Sequence, residues 1–287
     1  MSFSHDVKEE LSKITNLSNK QYVKYELIGY LMTNNINIDE KKIRFSTENQ
    51  FNINRFSRLL DNMNITDYSI EIKGKIFIIT CRKKDVIELL NDENIIPEDE
   101  KLKKCIVRGA FLGGGSLNNP ENKYHAEIIL KGEKEQKIVF DILEQCGIYF
   151  KILSKNKYSL YTKDGQVISD FLAFTGANSS VLRFEEIRVF RDMRNNVNRI
   201  VNCETANLNK TINAALKQIE DINLIKKMDK FETLPYNLKE IAIIRLENPE
   251  ASLIELGKLL KKPVGKSGVN HRLKSIEQIA SDIRNLE

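Results

Sequence analysis

The sequence is poor in the residues that build metal centres and disulfide frameworks. Its 287 residues include only three histidines and four cysteines, and it contains no HExxH motif, CxxC pair or Cys/His cluster. Cys81, Cys105, Cys146 and Cys203 are far apart in the chain, and nothing else in the sequence indicates secretion. We therefore expect reduced, partly buried thiols, no zinc site and no bound cofactor.

Long apolar segments are missing as well. No run approaches the roughly 20 apolar residues that a membrane-spanning helix needs. The stretch from Met1 to Leu17 carries charged side chains throughout its first turns, a pattern that signal peptides do not have. We therefore expect a cytoplasmic protein that makes no membrane contact.

The composition is that of an ordinary globular protein. Hydrophobic residues make up 41% and charged residues 30%, which argues against a disordered chain. The formal net charge of +5 comes from 45 Lys and Arg against 40 Asp and Glu. Such a mild excess allows nucleic-acid binding without requiring it, so the distribution of charge along the chain has to decide.

Two consecutive segments repeat one order of predicted elements. Residues 20–92 are predicted to form a helix, strands, a helix, a hairpin that turns at Lys73-Gly74, and a closing helix. Residues 97–174 repeat that order, beginning with a helix that has Pro97 and several acidic side chains at its start. We infer a tandem duplication with a pseudo-two-fold axis, with halves at 1–95 and 96–194.

The rest of the chain is predicted to be helical. Residues 195–230 keep a helical spacing of apolar side chains through a run of asparagines, which predicts one long or broken connecting helix. Residues 231–287 form a separate unit of three helices. The first begins at Pro235 and is ended by Asn248-Pro249, and the second begins at the capping box of Ser252 and Glu255.

The third predicted helix carries an apolar stripe at alternating spacings of three and four residues. The stripe consists of Val269, Leu273, Ile276, Ala280 and Ile283. A compact connection joins this helix to the second one, and this layout is typical of a helix-turn-helix, in which the last helix enters the major groove of DNA. The connection is longer than usual, and a helical interaction domain with a solvated basic face remains the alternative.

Charge within this unit favours nucleic acid. Lys258 to Lys274 contains six basic residues and no acidic one, and clustered cations bind DNA by releasing its counterions. Asn and Lys side chains on the outer face of the third helix can read adenine and guanine edges, and Lys262, Lys266 and Arg272 are better placed for phosphates. The candidate DNA-binding residues are Ser252, Lys262, Lys266, Ser267, Asn270, His271, Arg272, Lys274 and Gln278.

Three stretches together resemble the WhiA family of bacterial regulators of sporulation and cell division. They are residues 108–116 (RGAFLGGGS), 198–211 (NRIVNCETANLNKT) and 266–273 (KSGVNHRL). The resemblance implies an α+β fold, in which a duplicated domain like that of LAGLIDADG homing endonucleases precedes an all-α helix-turn-helix domain similar to region 4 of sigma factors.

The resemblance also implies a function. It points to sequence-specific binding of double-stranded DNA at promoter regions, a nucleoid-associated location, and control of cell division, chromosome segregation and, in spore formers, sporulation genes. It leaves open an RNA polymerase sigma factor or another regulator as a protein partner. A nucleoid or division scaffold with secondary DNA binding is the alternative function.

An active homing endonuclease needs a carboxylate at the end of each of its two motif helices to hold metal ions. The matching positions here are Asn34 and Gly114, neither of which supplies a carboxylate. We therefore expect a fold that has lost catalysis, with no metal and no enzyme activity. The glycines at 109 and 113–115 are expected to let the two motif helices pack closely.

Overall fold

The computed structural model describes residues 2–90, 96–153 and 158–285. The chain divides into two compact units, Met1–Met193 and Arg194–Glu287. The predicted boundary between the two halves of the first unit, at 95/96, adjoins residues 91–95, which lie outside the described residues. No helix in the described part of the chain is long and apolar enough to cross a membrane.

The first unit contains the predicted duplication. It opens with a helix that the sequence analysis did not predict, α1 (Phe3–Ser12). The first half is α2 (Lys20–Leu31), β1 (Ile36–Ile38), β2 (Lys42–Thr47), α3 (Gln50–Asn62), β3 (Tyr68–Lys73), β4 (Ile76–Arg82) and α4 (Lys83–Leu90). The second half is α5 (Glu100–Gly114), β5 (Gly115–Leu117), β6 (Ala126–Leu130), α6 (Glu133–Gln145), β7 (Lys151–Leu153), β8 (Tyr158–Thr162) and α7 (Gly165–Thr175).

The two halves share one topology. Each holds a four-stranded antiparallel sheet, in the order β1-β2-β4-β3 in the first half and β5-β6-β8-β7 in the second. A bridge between Thr33 and Leu130 joins the halves. This equivalence of element order and strand order confirms the predicted duplication within an α+β domain.

The predicted element bounds differ from the observed ones in two informative places. The second motif helix begins at Glu100, where Asp99 accepts a hydrogen bond from the N–H of Lys101, and not at Pro97. Strand β5 follows this helix without a break at Gly115. A three-residue strand that begins in a run of glycines has no alternating apolar pattern, so the sequence offered no signal for it.

Helices α2 and α5 pack backbone against backbone at the centre of the unit. A methyl group at Gly29 would overlap the carbonyl oxygen of Ile106, and one at Gly109 would overlap the carbonyl oxygen of Glu26. Only glycine allows two helices to approach this closely. The sequence analysis predicted close packing at Gly109. The structure shows that Gly29 has the equivalent role on the other helix.

A buried ionic cluster lies beside this contact. The carboxylate of Glu26, which is fully buried, accepts hydrogen bonds from Arg55 at 2.7 and 2.9 Å and from Arg108 at 3.4 Å. Arg55 also donates to the carbonyl of Ile14 at 2.6 Å, and Arg108 donates to the carbonyl of Thr175 at 2.9 Å. Through these two arginines, one carboxylate ties together α2, α3, α5 and the end of α7.

The second unit begins inside a long helix. Helix α8 (Asn178–Lys227) starts well before the predicted connecting helix at 195–230, soon after Gly176 ends α7 in a left-handed conformation with φ of 95°. The remaining helices are a short 3₁₀ turn (Phe231–Thr233), α9 (Tyr236–Glu247), α10 (Leu253–Leu259) and α11 (Lys266–Arg284).

The core of the second unit confirms the predicted apolar stripe of the last helix. All five stripe residues of α11 are buried, from Val269 to Ile283. They pack with Ile241 of α9, Leu256 of α10, and Ile222 and Ile225 of α8. The last turns of α8 therefore belong to this core, which the predicted domain start at 231 had left out.

The glycine contact gives a prediction for stability. Gly29→Ala and Gly109→Ala should each lower the free energy of unfolding by about 1–3 kcal/mol, because the added methyl group meets backbone that cannot rotate away. Urea denaturation followed by circular dichroism measures the change. Gly265→Ala is the control, since nothing lies within 4 Å of the added group. A loss of similar size in the control, or none at Gly29, would contradict the contact.

Lys8 of α1 gives a pH-dependent prediction. Its ammonium lies 5.7 Å from the centre of the Phe111 ring, and burial lowers the pKa of Lys8 from 10.5 to about 8. Between pH 8 and 10.5 the unfolded chain therefore binds more protons than the folded one, so stability rises with pH across this window. Lys8→Met should raise the Tm at pH 7, and the gain should vanish above pH 10.5.

Thermal melts from pH 6 to 11 test the effect of Lys8. The control is Lys123→Met, which removes the same charge from an exposed loop position. If both variants shift the Tm equally, or if the gain from Lys8→Met persists at pH 11, burial of the ammonium is not the cause.

Candidate nucleic-acid interface

Helices α10 and α11 and the residues 260–265 between them form the frame of the candidate interface. Ser252 caps α10, because its hydroxyl accepts from the N–H of Glu255 at 3.3 Å while the Glu255 carboxylate accepts from the N–H of Ser252 at 2.7 Å. Gly257 allows the connection to pack against α10, since a methyl group there would overlap the carbonyl oxygen of Val264. This packing gives the longer connection a defined path.

One strip of α11 faces solvent. Spacings of three and four residues place four of the predicted residues on one line along the helix, opposite the buried stripe. All four are exposed: Ser267, His271, Lys274 and Gln278. Gln278 also donates to Asp282 at 2.9 Å. The structure therefore brings these residues together on a continuous polar surface of a helix.

Two further predicted residues lie on a neighbouring strip. Lys266 and Asn270 are one turn apart on α11, and both line a cavity of about 290 Å³ that Ser252 also lines. The same cavity is lined by Lys210 of α8, which lies in the 198–211 stretch and whose polar side of the helix was a candidate for contact with the DNA backbone, and by Arg245 of α9. Arg245 was not among the predicted residues, and no local motif marks it.

Arg272 has a neighbour that the helical pattern of α11 did not predict. It is half-buried, and its Nη1 lies 3.7 Å from Oε2 of Glu240 on α9. The phosphate contact of Arg272 stays a prediction. The helical pattern of α11 alone could not reveal this pair, because Glu240 belongs to another helix.

The lysines of residues 258–274 differ in whether they contact another side chain. The ammonium of Lys261 lies 5.6 Å from the centre of the Tyr236 ring, and a hydrogen bond to that residue raises the pKa of Lys261. Lys258, Lys262, Lys266 and Lys274 are exposed and have no ion pair among the described residues. These four cations give the face its positive potential.

The sheets of the first unit present a different surface. The face of the first sheet that turns away from the core carries four cations, and three of them lie close to a carboxylate. Arg44 lies 3.7 Å from Asp39, Lys73 lies 3.5 Å from Glu71, and Arg82 lies 3.0 Å from Asp67. Lys42, opposite Arg82, is exposed and has no ion pair among the described residues. The three paired cations contribute little net attraction to a polyanion.

The ends of α2 and α5 hold the two positions where a nuclease of this fold would need carboxylates. Asn34 is exposed, and a methyl group built on Gly114 would lie 3.2 Å from its Oδ1 and would overlap the carbonyl oxygen of Ile129. The two positions are therefore adjacent, but the second has no room for a side chain. Among the described residues no group of three or more His, Cys, Asp or Glu side chains is placed to hold a metal ion.

Comparison with known families agrees with this division of the chain. The sequence profile described as "WhiA LAGLIDADG-like domain" matches residues 103–194, and the profile "WhiA C-terminal HTH domain" matches residues 197–280. A curated "Probable cell division protein WhiA" of Clostridium tetani is 38% identical over 99% of this chain and 98% of its own length. This chain belongs to the WhiA family.

Other WhiA proteins support the assignment. The relative from Clostridium beijerinckii, which carries the same name, is 37% identical over 99% of this chain and 99% of its own length. The crystal structure of full-length WhiA from Thermotoga maritima has a TM-score of 0.62 and is 31% identical, covering 98% of this chain and 99% of that one. Both the LAGLIDADG-like fold and the helix-turn-helix domain are thus shared with the family.

Proposed function

We propose that this WhiA-family chain is a sequence-specific DNA-binding regulator linked to cell division, and that α11 reads base edges in the major groove. The observation that carries the proposal is the exposed polar strip of α11, flanked on a helix-turn-helix frame by four lysines that have no ion pair in the described part of the chain. The cell-division link comes from the names of its relatives.

Finer parts of the proposal rest on the resemblance to the WhiA family. A regulator of this kind acts in the cytoplasm at the nucleoid, on genes of cell division, chromosome segregation and, in spore formers, sporulation. An RNA polymerase sigma factor or another regulator at the same promoter is its expected protein partner. A scaffold with secondary DNA binding would instead occupy DNA diffusely, so genome-wide occupancy separates the two functions.

Substitutions in α11 test the proposal. Asn270→Ala and Lys274→Ala should each weaken binding to the specific site by roughly 1–3 kcal/mol and relax base preference, because each removes a donor to a base edge. Lys262→Ala should weaken specific and random DNA alike and reduce the salt slope by about one unit, as expected for a phosphate contact. Anisotropy titrations on a footprinted promoter measure all three.

Lys227→Ala is the matched control for these variants. It removes the same charge from an exposed position of α8 in the same unit, so it should leave both affinities unchanged. An intact footprint in all three α11-region variants, or an equal loss in the control, contradicts the helix-turn-helix assignment.

We also propose that the chain does not cut DNA. Metal-assisted hydrolysis needs hard oxygen ligands beside the scissile phosphate. Asn34 offers only a neutral amide, and Gly114 leaves no space for a carboxylate because Ile129 occupies it. Asp39 and Glu121 do not substitute, since Asp39 accepts from the N–H groups of Lys41 and Lys42 in its own turn, and Glu121 is exposed.

A cleavage assay tests the absence of catalysis. Plasmid DNA with magnesium or manganese should remain supercoiled at protein concentrations that give a footprint. Gly114→Asp should lower the Tm without producing a nuclease, whereas Asn34→Asp should fold like the parent because Asn34 is exposed. Site-specific, metal-dependent nicking by the unaltered chain would overturn this part of the proposal.

A further inference from the structure

Arg245 is a buried cation without a counter-ion. Its side chain is only 2% exposed, and it forms no ion pair with any described residue. Its Nη1 donates to the carbonyls of Asn248, Pro249 and Ala251, but its Nε has no hydrogen-bond partner among the described residues. Burial lowers the pKa of this guanidinium, and a buried charge of this kind normally has an anionic partner.

The place for such a partner is the cavity that Arg245 lines. Lys210 and Lys266 line it as well, so three cations from three helices border a space of about 290 Å³. No carboxylate is among its lining residues, which otherwise include the polar side chains of Thr211, Gln218, Ser252 and Asn270. Cations and neutral hydrogen-bonding groups around one hollow suit an oxyanion.

Two side chains affect how well the cavity would accept an anion: the carboxylate of Glu255 and the amide of Gln218. Glu255, the nearest capping carboxylate, is occupied by the N–H of Ser252, and its hydrogen bonds lower the pKa of Glu255. The three cations that line the cavity are therefore not paired with this carboxylate in any ion pair among the described residues. The Oε1 of Gln218 is buried without a partner among the described residues, and the opposite orientation of this amide would present N–H donors to an anion.

We propose that this cavity is a phosphate site, with Lys210, Arg245 and Lys266 as its cationic ligands, and that it holds one backbone phosphate of the DNA that α11 reads. The proposal rests on the DNA-binding function proposed above and adds α8 and α9 to the interface. It assigns to Lys210 a role in affinity, and not in base selection.

The geometry favours DNA as the source of the phosphate. Lys266 and Asn270 line the cavity and also belong to the first turns of α11, beside the exposed strip of Ser267 and His271. The N-cap of α11, Gly265, provides no side-chain cap, so the first N–H groups of this 19-residue helix are free to add partial positive charge at this end. A phosphate seated here would fix the register of α11 in the groove.

Lys210→Ala in the full chain tests the site, with Lys227→Ala as control. Lys210 is exposed, so its replacement should not disturb folding. It lies about 25 Å from Lys227 along α8, at 1.5 Å per residue. We expect Lys210→Ala to weaken binding to specific and random DNA alike by about 3- to 10-fold at 0.1 M salt and to reduce the salt slope by about 0.9. Lys210→Arg should restore most of the affinity, and Lys227→Ala should change nothing.

Replacing single DNA phosphates by uncharged groups identifies the phosphate that Lys210 contacts. Methylphosphonates are introduced one at a time along the footprinted site, and binding is measured with the parent chain and with Lys210→Ala. We expect one position at which the neutral phosphate weakens the parent but causes no further loss in Lys210→Ala. If every position weakens both proteins equally, Lys210 holds no backbone phosphate and the proposal is wrong.

A measurement with inorganic phosphate tests whether the cavity binds a free phosphate compound instead of a phosphate of the DNA backbone. If inorganic phosphate raises the Tm of the parent but not of Lys210→Ala, while the two proteins bind DNA equally, the site serves a free phosphate compound and the DNA assignment is overturned. If the parent does not bind DNA at all, the proposed function itself fails. Unchanged affinity and salt slope in Lys210→Ala, with normal binding by the parent, contradict this inference alone.

Discussion

The backbone contact between α2 and α5 is the constraint on which the first unit depends. Because Gly29 and Gly109 lack side chains, a carbonyl oxygen of each helix can approach the glycine of the other, and this contact joins two halves whose sheets have equivalent strand orders. The same approach brings Asn34 next to Gly114. In a metal-dependent nuclease two carboxylates at such a place would repel each other without bound cations. Here a glycine and an amide meet there without that repulsion, so the contact is stable by itself.

The two units use their cations in different ways. In the first unit Arg55 and Arg108 are buried on Glu26, and the sheet cations Arg44 and Arg82 pair with nearby acids. A buried charge of this kind holds elements together but is unavailable to a ligand. In the second unit Lys258, Lys262, Lys266 and Lys274 of the α10–α11 segment are exposed and have no ion pair among the described residues. A net charge of only +5 therefore conceals a local excess of unpaired cations in this segment.

Periodicity predicted those parts of the fold that depend on a single element. The stripe from Val269 to Ile283 and the repeated order of helices and strands follow from spacing along the chain, and the structure confirms both. Strand β5 was missed because three residues after a glycine run carry no pattern. The pair of Arg272 with Glu240 was not predicted, because the position of Arg272 around α11 gives no information about which residues of α9 lie beside it. Arg245 gave no signal either, since its carbonyl partners form a turn whose path only the structure shows.

Helix α8 limits where the DNA-binding unit can begin. A fragment that started at residue 231 would contain all three predicted helices, yet it would lack Ile222 and Ile225, which are buried in the core of α9, α10 and α11. It would also lose the ion pair of 2.5 Å between Asp221, itself buried, and Arg284 near the end of α11. Removing apolar side chains of this size exposes their partners to water at a cost of about 1.5–3 kcal/mol each. The helix that was predicted to be a connector is therefore part of the domain, because it supplies both a wall of the core and a wall of the cavity that Lys210 lines.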